Sequence, residues 1–595
     1  MSILAPLPSS DSSSGTGSDS TRPRVVTLAS RVRAIRPATV GGVILLGVLV
    51  MLIGLPMWQL VAGSFRSGDP FQPGAWTLDN YRRVLTNSAL PELVRNSLLF
   101  AGLSTALCLV VGVTLAWIVT RTDVPGARAW QILTIAPLLI PGLMATTAWS
   151  VLLSERTGLL NVYVFEPLFG WRFNILSLTG MVWVQSLTMM PLVFILVGAA
   201  LRRADSEIEH AGRVAGAGPL RALTVTLGAI RPAILTSALL VFVVSLESIE
   251  VPLIFGFPAR IQVFSGEIYR SLRVETPTRW GEASALSTML VVAVVALFAW
   301  YVLATRKSHR YVTIGSRVRA STKLSLGRGR WIAFAVCVTS AIFTLVLPFL
   351  SVLYASVVDY VGRPSAELLG TASLDHFTAL FDNEMLVRAV KNSLLLGFFG
   401  GIAVVLLATV LAVLSMRHPS AVSKVNDSFS LVPMSVPRIA LAPAFLWAYL
   451  LMPFGAGKAL YGTLWIMGIA YVAMFLPIAS RQISSQIGQV SPELESASRV
   501  AGAGPVRTAL RITAPLVAPA LAASFFLAFI TFFREFAVSA LMYRNGTEVF
   551  SVAMFSMLAD GEMGQVAALS VVFMIVVVSV LSVGSTIVAK RKPSA

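Results

Sequence analysis

Few residues of this chain could do chemistry, and they fall into three groups. The carboxylates Glu247 and Glu250 and the charged pair Arg534 and Glu535 interrupt long apolar runs. A charge in hydrocarbon costs about 2.5–3.5 kcal/mol on insertion scales unless it is paired or faces water. Such groups therefore either line a hydrophilic path or lock to one another. Glu247 and Glu250, three residues apart, would share one face of a helix. Aligning Val251 with Val538 sets Glu247 opposite Arg534, so that these two could pair. The second group, His210, His309, His376 and His418, is scattered without metal-ligand spacing. The third is a phosphate-loop lookalike, Gly455-Ala-Gly457-Lys458-Ala459. Met452 stands where its first glycine belongs, and Ala459 replaces the Ser or Thr that would hold magnesium. No metal site, nucleophile–base pair or nucleotide loop is expected, and the chain is not read as an enzyme. Cys108 and Cys337 lie in apolar stretches and read as small buried hydrophobes.

Composition sets the elements that must position these charges. Of 595 residues, 56% are hydrophobic and 12% charged; soluble domains carry roughly 25% charged residues. Mean hydropathy is +0.79, and the apolar residues come in blocks. That excludes a cytosolic enzyme, a secreted disulfide scaffold and a disordered regulator. About 20 apolar residues cross the ~30 Å hydrocarbon core. Twelve such blocks begin near residues 40, 95, 130, 177, 232, 283, 331, 392, 428, 463, 516 and 564. The expected fold is an all-α polytopic membrane protein with 12 transmembrane helices in a lipid bilayer. The net charge of +18 would suit nucleic acid, but the basic residues are spread over short loops. There they orient helices, and no basic soluble domain is present to bind nucleic acid.

Residues 1–38 are too polar to bury a core and read as a disordered tail. The apolar run from about Val40 to Ala62 is too long for a signal peptide and reads as a retained first span. The segment Arg306–Arg330 holds Arg306, Lys307, Arg310, Arg317, Arg319, Lys323, Arg328 and Arg330 and no acid, so it is expected in the cytoplasm. The tail at Lys590, Arg591 and Lys592 and the loops Arg121–Arg128 and Arg417–Lys424 fall on the same side. Both termini are then cytoplasmic.

The chain also repeats itself. Arg213-Val-Ala-Gly-Ala-Gly-Pro219 recurs unchanged as Arg499-Val-Ala-Gly-Ala-Gly-Pro505, 286 residues later. Leu78-Asp-Asn-Tyr81 echoes Leu374-Asp-His-Phe377, and Asn96-Ser-Leu-Leu99 echoes Asn392-Ser-Leu-Leu395, both 296 residues on. A longer loop at 154–176 absorbs the slip. Two parallel six-helix repeats are expected, residues 39–305 and 331–595, joined by the basic linker 306–330.

Both heptapeptides sit in cytoplasmic loops, at 205–232 and 491–519. Ser491 is a good N-cap, Pro492 suits the first helical position, and Glu493 and Glu495 lie in the positive first turn. Asp205, Ser206, Glu207 and Glu209 take the same roles in the first copy. Gly216-Ala-Gly218 and Gly502-Ala-Gly504 then end the helix in the left-handed conformation, and Pro219 and Pro505 start the next. Each loop is a short helix, a glycine corner and a second helix. It could be a surface connector, or a plug made twice for a groove on a dimeric partner.

The segments Glu209-His-Ala-Gly-Arg-Val-Ala-Gly-Ala-Gly-Pro219 and Glu495-Ser-Ala-Ser-Arg-Val-Ala-Gly-Ala-Gly-Pro505 resemble the EAA loop of permease subunits of binding-protein-dependent ABC importers. The second copy runs on to Ile512-Thr-Ala-Pro515, with Ala514 at a position usually Leu. The first departs more, with His210 and Gly212 where Glu and Ala are usual and no closing proline. The resemblance covers residues 40–590. It implies the type I ABC importer permease fold, with both halves of the usual dimer fused in one chain of a bacterial inner membrane. It further implies two cytoplasmic ATPase subunits, which hold the ATP and magnesium, and a periplasmic or lipid-anchored solute-binding protein. Glu209, Ala211, Arg213, Gly216, Gly218, Glu495, Ala497, Arg499, Gly502 and Gly504 would couple to the ATPases. Glu247, Glu250, Arg534 and Glu535 would line the translocation path or lock the halves together.

Within that family the chain is most similar to fused iron(III) permeases. The similarity rests on Glu250-Val-Pro-Leu-Ile-Phe-Gly256 with Glu267-Ile-Tyr269, and on Arg534-Glu-Phe with Gly546-Thr-Glu548 and Gly564-Gln-Val-Ala-Ala-Leu569. Polyamine, thiamine and phosphonate permeases share much of this texture. A secondary transporter driven by an ion gradient would also fit parallel halves and intramembrane carboxylates, but it leaves the duplicated glycine corners unexplained.

Overall fold

The computed structural model describes residues 37–203, 227–228, 230–305, 323–363, 365–451 and 459–590. The tail 1–36, the first heptapeptide with Glu209, Ala211, Arg213, Gly216 and Gly218, the linker 306–322 and the Gly455–Lys458 stretch lie outside the described residues.

Among the described residues the structure is helical, with β pairing limited to two isolated bridges. Eight helices are long and apolar enough to cross a membrane: Thr39–Ser64, Leu90–Arg121, Leu178–Arg203, Trp280–Ala304, Gly327–Val357, Glu384–Arg417, Leu464–Gln489 and Ala509–Phe533. Two bent pairs raise the number to ten. Ala127–Leu139 meets Gly142–Leu153 at 98°, and Ala421–Ser435 meets Arg438–Leu450 at 115°. Length and composition thus give eight to ten crossings among the described residues, beside the twelve expected from the sequence. The predicted fifth span, Arg231–Glu247, has only 17 residues because Ser248 turns extended at ψ 132°. The predicted twelfth is the helix Met563–Lys590.

Proline makes both bends. In Ala136-Pro-Leu-Leu-Ile-Pro141 and Val432-Pro-Met-Ser-Val-Pro437, a short 3-10 turn ends at a residue held extended, Ile140 at ψ 130° and Val436 at ψ 119°. A residue before proline is driven out of the helical region by the ring. The following proline has no N–H to continue the ladder, so a new helix starts at Gly142 or Arg438.

The bent pairs interlock the molecule. Thr39–Ser64 lies along Arg438–Leu450, while Gly327–Val357 lies along Gly142–Leu153. The first helix on each side of the linker thus packs on the bent pair of the other side. Leu90–Arg121 packs on Leu178–Arg203, and Glu384–Arg417 on Leu464–Gln489. At the first crossing Trp447 is fully buried and donates from Nε1 to Ser284 Oγ at 2.9 Å. Its indole lies over Gly63, where an added Cβ would come within 2.6 Å of the ring.

The sequence echoes have matching structural roles. Ser97 Oγ accepts the Phe264 N–H at 2.9 Å, and Ser393 Oγ accepts the Phe550 N–H at 2.8 Å. Each thereby caps a short helix, Phe264–Arg273 or Phe550–Ala559. Asn80 donates to the carbonyls of Ser64 and Arg66, and His376 bonds the Val358 carbonyl at 3.0 Å. A Cβ on Gly281 would collide with Asn80, and one on Gly564 with His376. Both glycines are therefore close approaches of a helix start to a polar anchor.

Where the described chain resumes after the linker, it is fastened down. Leu324 pairs with the Arg121–Asp123 backbone (2.7 and 3.1 Å), and Asp123 accepts the Leu326 N–H at 3.0 Å. That N–H, with Ser325 and Arg330 nearby, holds the Asp123 carboxyl below its ordinary range.

Gly63→Ala should lower the thermal midpoint of the detergent-purified chain, since overpacking costs about 1–3 kcal/mol. Gly102→Ala, in a helix with nothing within 4 Å of the added Cβ, should leave it unchanged or slightly raised. Equal midpoints for both would mean that Trp447 does not fix the interlock.

Candidate functional site

Each proline bend leaves backbone groups at helix ends without an intrahelical partner. In hydrocarbon those groups must be satisfied by protein. The intramembrane charges sit at these ends. Arg534, the residue after the helix Ala514–Phe533, donates from Nη1 to the Leu138 carbonyl and, at 3.4 Å, to that of Ile140. It thereby closes the C-terminal end of Ala127–Leu139. Glu247 accepts the N–H of Arg438, the first residue of Arg438–Leu450, on Oε2 at 2.8 Å. Its Oε1 lies 3.4 Å from Arg438 Nε. The Glu250 carboxylate lies against Gly142, the first residue of the other bent helix, where any Cβ would overlap it. Negative groups thus face the positive N-termini of two half-helices, and a cation faces a negative C-terminus.

Two expectations are corrected here. Glu247 does not pair with Arg534, because each is taken by an end of a different bent pair. Nor do Glu247 and Glu250 share one helical face, since the helix stops at Glu247 and Ser248 breaks the path. Glu535 turns inward: it is 5% exposed and accepts the N–H groups of Val538 and Ser539 at 3.0 and 3.1 Å. Arg438 is the member of this set that sequence reasoning missed. An arginine directly after Pro437 in an apolar block was the available signal. Glu247, Glu250 and Glu535 bring three carboxylates to this centre, and Arg438 and Arg534 bring two guanidinium groups.

The second heptapeptide forms the expected corner. Pro492–Val500 is a helix whose N-cap Ser491 accepts the Glu493 N–H at 3.2 Å. It ends with Gly502 at φ +84°. Gly502 N–H reaches the Arg499 carbonyl at 2.9 Å, and Ala503 N–H reaches that of Ser498 at 3.0 Å. This paired closure requires a left-handed residue at position 502. Gly504 has no positive φ, so the corner depends on Gly502 alone. Ser498 and Thr508 hydroxyls, 3.0 Å apart, tie the corner to the next helix. Ala497, Arg499, Gly502 and Gly504 are exposed. So are Leu494 (48%), Val500 (91%) and Leu510 (66%). Glu495 points the other way, 7% exposed, toward Arg417.

At the end of the molecule opposite this helix, a cavity of about 590 Å³ opens between residues 150–157, 174–176, 355–361 and 561–565. Glu155, Arg156, Asp359 and Glu562 line it. Among the described residues no group of three or more His, Cys, Asp or Glu is placed to hold a metal ion.

The family model of binding-protein-dependent transport system inner membrane components matches residues 404–591. The chain is 23% identical over 562 residues to the ferric transport system permease protein FbpB of Actinobacillus pleuropneumoniae, covering 90% of this chain and 77% of that one. It is 23% identical over 512 residues to the putative ferric transport system permease protein FbpB 1 of Haemophilus influenzae, covering 85% and 78%. It is 31% identical over 166 residues to a putative ABC transporter permease protein, ORF1, of Streptomyces antibioticus, covering 28% of this chain and 69% of that one.

Glu247→Arg should cost about 1–2 kcal/mol of stability, because Arg438 keeps its charge without a partner in a partly exposed site. Adding Arg438→Glu should recover part of the loss in thermal midpoint, since the ion pair is restored while the N–H of residue 438 stays uncapped, whereas adding Arg534→Glu should recover none. Rescue by the second pairing and not the first would restore the Glu247–Arg534 pair that this geometry excludes. Gly502→Val, forced into a left-handed backbone, should fray the corner at a cost of about 1–2 kcal/mol. Gly504→Val should cost little, and limited proteolysis between residues 492 and 508 reads the difference.

Proposed function

The chain belongs to the binding-protein-dependent transport system inner membrane components, and from that premise we propose that it is the permease component of an ATP-driven importer of ferric iron. The observation that carries the substrate is the extent of similarity. Relatives matched over 85% and 90% of this chain are named ferric permeases. A multi-pass inner-membrane permease has no catalytic task of its own, so ATP hydrolysis falls to two separate cytoplasmic subunits, which hold the nucleotide and magnesium. A periplasmic or lipid-anchored binding protein delivers the solute.

In this reading residues 39–305 and 331–595 act as the two permease halves, with both chain termini and the linker in the cytoplasm. The helix Pro492–Val500 is the docking element for one ATPase subunit. Apolar Leu494 and Val500, exposed on one short helix outside the spans, support that role, since such a patch is ordinarily covered by a partner. The segment with Glu209, Ala211, Arg213, Gly216 and Gly218 serves the other subunit. ATP-driven closure brings the two loops together and moves the bent pairs apart, a rigid-body form of alternating access. The cluster of Glu247, Glu250, Arg438 and Arg534 closes the path at rest, held by the helix ends it caps. Selectivity for iron belongs to the binding protein.

Labelled uptake in cells with and without this chain tests the reading, with ferric iron measured beside a polyamine, thiamine and a phosphonate. Loss of iron uptake alone is expected, together with dependence on a co-expressed ATPase subunit. Loss of a different solute would replace the substrate. Uptake that survives without any ATPase subunit and collapses with the ion gradient would make the chain a secondary transporter.

A further inference from the structure

The carboxylate of Glu495 is turned away from the exposed face of its helix. Its Oε1 is 2.9 Å from Nε of Arg417, the last residue of Glu384–Arg417. The same guanidinium donates from Nη2 to the carbonyls of Ile487 (3.2 Å) and Val490 (2.9 Å), at the end of Leu464–Gln489. Glu495 Oε1 also accepts the Thr513 hydroxyl at 3.0 Å, in the turn leading into Ala514–Phe533. One ion pair therefore ties the loop helix to three spans. Both side chains are nearly closed to solvent, 13% and 10% exposed.

The arrangement has a counterpart. Arg121 ends Leu90–Arg121 296 residues before Arg417, is 1% exposed, and donates from Nη2 to the Leu201 carbonyl at 2.6 Å. Leu201 stands 286 residues before Ile487. These are the offsets of the sequence repeats, so an arginine that grips the neighbouring span's terminal carbonyl was built twice. A guanidinium suits the task because its planar fork serves a carboxylate and carbonyls in fixed directions at once, which an ammonium cannot.

We propose that Arg417 is the pin through which movement of the loop helix reaches the spans, with Glu495 as its inward-facing partner rather than a contact to the ATPase. Arg417 is a positioning residue: it touches neither solute nor nucleotide, and it makes helix 492–500 and spans 384–417, 464–489 and 509–533 move as one body. Docking is left to the exposed face with Leu494 and Val500. The inference rests on the importer reading above, because it needs a motor that moves the loop.

The test uses the full chain purified with its ATPase subunits and binding protein in liposomes. Co-purification, ATP hydrolysis and solute uptake are measured for wild type, Arg417→Ala, Arg417→Lys and Glu495→Gln. Arg417→Ala should retain its ATPase subunits and hydrolyse ATP, while uptake per ATP falls roughly tenfold, the scale of a lost coupling contact. Arg417→Lys, with charge kept and fork lost, should fall less but in the same sense, and Glu495→Gln should resemble it. An unchanged thermal midpoint in Arg417→Lys separates this from unfolding. Wild-type uptake per ATP in both Arg417→Lys and Glu495→Gln would overturn the pin. Loss of the ATPase subunits from Glu495→Gln would also overturn it, since Glu495 would then be a docking residue. Absence of ATP-dependent uptake in wild type would remove the importer reading, and the pin with it.

Discussion

A helix broken within an apolar span leaves backbone ends that other elements must meet, and this constraint organises the centre of the molecule. The breaks at Pro141 and Pro437 create four such ends, and three of the four are met by charged side chains from other elements. Arg534 takes the carbonyls of Leu138 and Ile140, Glu247 takes the Arg438 N–H, and Glu250 lies at Gly142. The charges cost desolvation energy on their own. Placed on opposing helix ends, they replace the missing backbone partners and are neutralised in turn. A set of charges that sequence alone reads as either a lined path or a lock between the halves is, in this geometry, a set of caps.

Glu247 and Arg534 come from Arg231–Glu247 and from the residue that follows Ala514–Phe533, both leading back from the heptapeptide loops, and Glu250 follows the break at Ser248. The centre and the loop end are thus joined by single helices. Movement of the helix Pro492–Val500 can act on Arg534 through one continuous element. The interlock of Thr39–Ser64 with Arg438–Leu450, and of Gly327–Val357 with Gly142–Leu153, keeps the bent pairs from drifting while this happens. The close contact of Gly63 with Trp447 makes the first crossing rigid. The fastened segment around Leu324 and Asp123 anchors the chain where it leaves the linker.

Much of this was legible before any coordinates. Apolar blocks located the helices, and the repeats anticipated the paired roles of Ser97 with Ser393 and Asn80 with His376. Ser491, Pro492 and Gly502 marked the cap, first turn and stop of the loop helix, because caps are local and their chemistry is written in consecutive residues, although Gly504 is not left-handed. The partner of Glu247 was not legible. Choosing between Arg438 and Arg534 requires the bend angle, which brings residue 438 to the centre and depends on packing between distant spans. Counting blocks gave twelve spans, of which eight to ten meet the length and composition of a crossing among the described residues; it could not see that Ser248 stops a helix after Glu247. Arg417 was counted as a loop charge that orients the chain. Its second role depends on Ile487, Val490 and Glu495 converging on one guanidinium, which no spacing along the sequence reveals.

The most direct test of this account is a side-chain-resolution cryo-electron microscopy map of the full chain in lipid nanodiscs with its ATPase subunits and no nucleotide. The account predicts Arg534 on the Leu138 and Ile140 carbonyls and Glu247 on the first turn of the helix that begins at Arg438. A map with Glu247 and Arg534 in contact across the centre, and the two bent helices left uncapped, would contradict it.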